Sequence, residues 1–169
     1  MRRHLIGSIA GAVLLLAGLI ALQRSYTAPR RYVKSCYCDN RELLDSLAEA
    51  CREYDAGESG NVRLDAETAP ESVRKILEPL RTKYQPDSEN AVFSSCSVRY
   101  DAGGKMQLQI CAKTEKAAGD GHTAPDLRLC YLVYLEDGYA EDLPYIQYMK
   151  EHGSIAGNWY FWSRDTYSG

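Results

Sequence analysis

Six cysteines and three histidines are the residues in this 169-residue chain best suited to carrying a reaction. Cys36-Tyr37-Cys38 has the most unusual spacing among them. A bond between its two sulfurs would close a very small, strained and easily reduced ring. The pair could act as a redox couple, or as half of a metal site completed by His122 or His152. Zinc sites, however, usually space paired cysteines about two to four residues apart. The favoured reading is structural: Cys36 and Cys38 each pair elsewhere and clamp their segment to the body. His4 lies at the N-terminus, His122 in the glycine-rich Gly119-Asp120-Gly121-His122, and His152 near the end of an expected short helix. The sequence contains no Gly-x-Ser-x-Gly elbow, no Walker loop and no His-Glu-x-x-His. No catalytic residue, metal ligand or cofactor is therefore assigned.

An even cysteine count of six points to an oxidising compartment. The disulfide candidates are Cys111 with Cys130 and Cys51 with Cys96, while Cys36 and Cys38 have no assigned partners. Glu136, Asp137, Glu141 and Asp142 could offer oxygen ligands to Ca2+, but their spacing is not that of an EF-hand, and a solvated turn is the better reading. Trp159-Tyr160-Phe161-Trp162, together with Tyr134, is the candidate binding patch, because Trp and Tyr often carry most of the energy of an interface. The competing reading makes these rings ordinary core.

The elements that must hold these groups begin with Leu5 to Leu22, an uncharged apolar run behind Arg2 and Arg3. At about 1.5 Å per helical residue it nearly crosses a hydrocarbon core of about 30 Å. It is longer than the apolar core of a signal peptide, and Ala21-Leu22-Gln23 is a poor cleavage signal, so an uncleaved anchor is preferred to a removable leader. Gly7 and Gly11 form a small-xxx-small pair through which two anchors could pack into a homo-oligomer. Basic residues flank both ends of the run. Counting them alone would place the body in the cytoplasm, but the short N-terminal tail and the cysteines after the span favour a body facing outward. Residues 23–38 read as a basic juxtamembrane tether and 39–169 as one domain. The net charge of −3, with no basic stripe in the body, gives no footprint for nucleic acid.

Within the domain, Leu43, Leu44, Leu47, Cys51 and Tyr54 recur at helical spacing behind a cap at Asp39 or Asn40. The stretch from Ala56 to Asp65 reads as a loop. Thr68 and Glu71 form a capping box ahead of a second stripe, Val73, Ile76, Leu77, Leu80 and Tyr84. Pro79 is expected to kink that helix or to end it near Glu78. The period then becomes two, and a β-hairpin is predicted around Ala102-Gly103-Gly104. A three-residue loop sets Tyr100 by Met106, Val98 by Leu108 and Cys96 by Ile110, keeping one face apolar. Cys96 then faces the helices and Cys111 faces away. Lys113 to Asp126 reads as a polar loop and Leu127 to Glu136 as a third strand, apolar on both faces and hence central or covered. Its pairing is expected to place Cys130 beside Cys111 on the outer face. A short helix with Pro144 in its first turn and Gly153 past its end, then a last strand through Trp159–Trp162, complete the chain.

The fold expected is α+β: an N-terminal transmembrane helix, then two helices packed on a roughly four-stranded antiparallel sheet. The function expected is that of a non-enzymatic binding protein in the inner membrane, single-pass, with its body in the periplasm, acting on another protein as an assembly factor or as an inhibitor or immunity protein. The alternatives are a thiol-redox or Cys/His-dependent enzyme of the envelope, and a structural subunit of an envelope assembly.

Overall fold

The structure, a computed structural model, describes residues 28–54, 61–65, 67–84, 92–116, 127–140 and 143–166. The chain divides into two units, Met1–Tyr32 and Val33–Gly169. In the first, residues 28–32 are helical. The run Leu5 to Leu22, with Gly7 and Gly11, lies outside the described residues. Among those described, no helix is long and apolar enough to cross a membrane.

The second unit is α+β, with helices on a six-stranded antiparallel sheet. It begins with α1 (residues 33–39), inside the stretch expected as a tether. Val33, Cys36 and Tyr37 are buried in the core, which explains the helix: they recur at 3.6-residue spacing and turn one face inward. Next come α2 (Arg41–Arg52), β1 (Asn61–Asp65), α3 (Glu71–Tyr84), β2 (Ser95–Tyr100) and β3 (Met106–Lys116). The chain continues through β4 (Leu127–Leu135), α4 (Pro144–His152), β5 (Ser154–Ala156) and β6 (Trp159–Thr166). The strand order is β1-β2-β3-β4-β6-β5.

Two strands beyond the expected four are the short edges β1 and β5. Asn61–Asp65 falls within the stretch that Gly57 and Gly60 mark as a loop in the sequence. Its pairing with β2, Leu64 opposite Cys96, supplies the order that its own sequence does not. The helix α3 runs through Pro79 to Tyr84 instead of ending near Glu78. Leu77 and Leu80 on either side are both buried, and that packing outweighs the lost backbone hydrogen bond. Instead of a capping box, Asp65 and Thr68 build the turn ahead of α3: Asp65 Oδ1 accepts from the Thr68 amide at 3.0 Å and from its hydroxyl at 2.9 Å.

The sheet has two differently covered faces. The inner face packs Leu64, Cys96, Val98, Leu108, Ile110, Leu132, Trp159 and Phe161 against apolar residues of α1, α2 and α3. At the helix junction buried Asn40 donates to the Cys36 carbonyl at 2.7 Å and to the Tyr84 hydroxyl at 2.6 Å, and accepts from Lys83 at 3.0 Å. Among the described residues, the outer face is covered at one end, where Ile146 and Met149 of α4 pack on Val133 and Leu135. Gly153 ends α4 where β6 passes close: the Phe161 amide donates to its carbonyl at 2.7 Å, and a Cβ there would lie 2.6 Å from the Phe161 carbonyl oxygen.

The hairpin register is the one the apolar pattern demanded: Cys96 opposite Ile110, Val98 opposite Leu108 and Tyr100 opposite Met106. Gly104 takes φ +74° in the turn, a conformation that favours glycine.

Candidate functional site

Beyond the reach of α4, among the described residues, the outer face of the sheet lies open. It forms a concavity of about 500 Å3 whose floor comes from β2, β3 and β4. Strand alternation decides what points into it. Ser95 and Ser97 flank buried Cys96, so their hydroxyls go outward. Gln109 and Cys111 flank buried Ile110 in the same way, and Leu129 and Tyr131 flank buried Cys130. Two cations stand at the rims, Arg63 of β1 and Arg164 of β6, both exposed.

A β-bulge sets the lower part of this floor. Cys111 pairs with Tyr131, but Lys113 pairs with Cys130, which leaves Ala112 as the extra residue. After it, Thr114 faces outward opposite Leu129 and lines the concavity. Lys113 and Glu115 lie opposite Cys130 and Arg128 and pair with each other at 2.6 Å. The Cys111 carbonyl at the bulge accepts from the Phe93 amide at 2.8 Å. Phe93 is buried and holds φ at +53°, a strained value for a bulky side chain.

The electrostatics of the concavity are one-sided. Burial pushes the Tyr131 phenol above its ordinary pKa, while Arg164, which also hydrogen-bonds the phenol, and Arg63 pull it back. Both guanidinium groups, from strands at opposite sides, therefore act on the same hydroxyl. Among the described residues lining the concavity there is no carboxylate. The Cys111 thiol is pushed up by burial, against the pull of hydrogen bonds with the Thr114 side chain and the Lys113 backbone. It is thus held protonated at neutral pH, and a protonated thiol is a poor nucleophile.

The other cysteines are dispersed. Cys36 and Cys38 sit two apart on α1, one buried and one exposed, so the helix directs them apart instead of into a shared site. Cys51 of α2 and Cys96 of β2 are both buried, with their side chains in hydrogen-bond contact. That contact, followed by burial, drives the Cys96 pKa upward. Cys130 is buried on the inner face, not beside Cys111 on the outer one as expected. Because β4 is apolar on both sides, the pattern did not determine which side turns inward; the register, Ile110 opposite Leu132 and Cys111 opposite Tyr131, does. Burial first, then Glu115, pushes the Cys130 thiol up to about 12.

The aromatic run is divided between the faces. Trp159 and Phe161 are buried inward, and Tyr134 stands beside Trp159 on the inner face with ring centroids 5.4 Å apart. The Tyr134 hydroxyl accepts from Arg52 at 2.9 Å. Tyr160 and Trp162 point outward and are half-buried against α4, where Tyr145 stacks on Trp162 at 5.5 Å. The expected single patch of Tyr134, Trp159, Tyr160, Phe161 and Trp162 does not form one surface. Only Trp162 borders the concavity, across the pair from Tyr131.

Glu136 accepts from the Met106 amide at 3.1 Å and Asp137 from Asn158 at 3.0 Å, so both carboxylates brace turns. Glu141, Asp142 and His122 lie outside the described residues. The His152 ring meets that of Tyr148 at 4.8 Å, tilted by 59°. No cluster of three or more metal-ligating side chains occurs among the described residues. A second concavity, beside α3 over Leu77 and Phe93, has a rim of mixed charge: Lys75 pairs with Glu71 at 2.7 Å and Arg81 with Glu78 at 2.9 Å. Asp65 and Arg74 also line it, so acids and bases are balanced around that rim.

Nothing in the sequence pointed to the arginine-rimmed concavity. Arg63 belongs to a strand read as loop, and Arg164 follows the aromatic run. The available signal was the row of small polar residues Ser95, Ser97 and Gln109 alternating with the buried ones. No family model, curated protein or solved structure matches this chain.

Proposed function

We propose that this chain is a membrane-tethered binding protein whose body works outside the cytoplasm by contact with another protein. The observation that carries the reading is the part of the outer sheet face left open among the described residues, with Arg63 and Arg164 acting on Tyr131 over a floor that holds no described carboxylate. Two further features support it. The apolar run Leu5 to Leu22 has the length and basic flanks of an anchor. The apposed thiols of Cys51 and Cys96 suit an oxidising compartment. The raised Cys111 and Cys130 thiols and the divergence of Cys36 from Cys38 give a thiol enzyme less to work with.

In-cell photo-crosslinking of the full chain tests the reading. A photoreactive residue at position 97, on the floor, traps one protein of defined mass; the same residue at position 42, exposed on α2, does not. Equal adducts from both positions, or none from position 97, count against this face as the contact surface. External protease added to spheroplasts should digest the body; protection of the body would refute the location.

A further inference from the structure

We infer that the partner presents an acidic, extended segment that lies across the strands, with carboxylates received by Arg63 at one rim and Arg164 at the other. This rests on the reading of the outer face as a protein-contact surface and adds the chemistry of what it receives.

Charge is the first argument. Guanidinium groups present several donors in a planar fork that matches a carboxylate, and two of them share this concavity without an acidic lining residue among those described. The described carboxylates closest in sequence to the two arginines have partners of their own. Asp65 of β1 is held below the usual carboxylate range, chiefly by hydrogen bonds from Thr68. Asp165, next to Arg164, faces the other way and is bound by Arg128 at 2.8 Å. Asp65 also feels the Arg63 charge and offsets part of it, whereas Asp165 is committed to Arg128 and leaves Arg164 to the concavity.

Geometry is the second argument. From β1 to β6 the sheet takes four interstrand steps, about 4.8 Å each and about 19 Å of backbone separation in all, with both guanidinium groups near enough to Tyr131 to act on it. An extended segment of about six residues, at about 3.3 Å per residue, covers that distance. The floor between the arginines suits the middle of such a segment: Ser97, Gln109 and Thr114 offer hydrogen-bonding groups, and Leu129 offers apolar surface.

The test uses the full chain in detergent and a fluorescent six-residue probe, capped at both ends, with glutamate at its first and last positions and leucine and serine between. Fluorescence anisotropy should show saturable binding, weakened at least about tenfold by glutamine in place of both glutamates. Arg63→Gln and Arg164→Gln should each cause a loss of similar size, whereas Arg81→Gln on α3 should not. Both target arginines are exposed, so the variants should keep the fold, which circular dichroism checks. Binding should weaken in about 0.5 M salt. No binding, equal binding of the uncharged probe, or indifference to both arginines would overturn the inference. So would acetate displacing the probe at equal concentration, since the site would then be one for small anions. If the probe fails while position 97 still traps a protein, the acidic-segment inference falls and the contact surface stands. If both fail, both readings fall.

Discussion

The indole Nε1–H of Trp159 donates to the Asp45 carboxylate at 2.9 Å, joining the start of β6 to α2. Trp159 is 2% exposed, and its ring also meets Tyr37 of α1 at 5.7 Å. This one side chain thus fastens the last strand to two helices. Asp45→Ala should destabilise the fold by about 1 kcal/mol in urea titration, a value kept low because the Asp45 side chain is 48% exposed. Asp45→Asn retains an acceptor and should lose less.

Gly153 is where α4 is docked onto β6. A methyl group there would lie 2.6 Å from the Phe161 carbonyl oxygen and 2.9 Å from that of Met149, both backbone atoms. Gly153→Ala should therefore cost about 1–3 kcal/mol by forcing the helix off the sheet. Denaturant unfolding checks this, and increased protease sensitivity near α4 would locate the damage.

The turn after β2 should respond to acid. Asp101 accepts from the Ala140 amide at 2.7 Å, and from those of Lys105 and Gly103 at 2.8 and 2.9 Å. These bonds, Ala140 first, hold its pKa below the usual carboxylate range. Its folded value lies under its unfolded value, so its contribution is complete above the ordinary carboxylate range, at about pH 4. It then shrinks as pH falls through the folded value. Asp101→Asn should flatten part of the acid limb of a stability–pH curve. The rest of the limb belongs to groups such as Asp165, lowered chiefly by its hydrogen bond with Arg128.

The thiols should react in order of access. In the folded, reduced chain, alkylation at neutral pH should label exposed Cys38 before the buried Cys36, Cys51, Cys96 and Cys130. Cys111, half-buried with its pKa raised by burial, should be labelled faster as pH rises. Peptide mass spectrometry over a pH series reads the order; early labelling of Cys130, pushed up to about 12, would contradict it.

Oxidised glutathione should join Cys51 to Cys96, since their side chains already touch. One disulfide forms, one glutathione disulfide is reduced to two thiols, and the protein gives up two protons with its electrons. Cys111 and Cys130 stand on opposite faces of the sheet and should not be joined. Non-reducing peptide maps distinguish the two outcomes.

How much of this was legible depended on whether a segment carried its own period. The β2–β3 register followed from Val98, Tyr100, Met106 and Leu108 because only one loop length kept the apolar side whole. The stripes of α2 and α3 were visible for the same reason, and Pro144 and Gly153 marked α4. What failed needed partners from elsewhere in the chain. Asn61–Asp65 has too few apolar residues to announce a strand, and Leu127–Leu135 has too many to announce an inner side. The arginine-rimmed concavity was illegible because Arg63 and Arg164, far apart in sequence, meet only through strand order.

Ala112 acts as a phase shift in an otherwise regular alternation. Were β3 to run through it without interruption, Lys113 would fall opposite Leu129 and Glu115 opposite Leu127, placing an acid of the chain's own between its arginines. Loss of Ala112 would leave the present pairing of Lys113 with Cys130 and Thr114 with Leu129 unaltered. Loss of one of the strand residues before it would invert everything downstream. Natural variation in chain length along this strand should therefore concentrate at that single position, and the polarity of the surface would be inherited through the spacing of residues as much as through their identity.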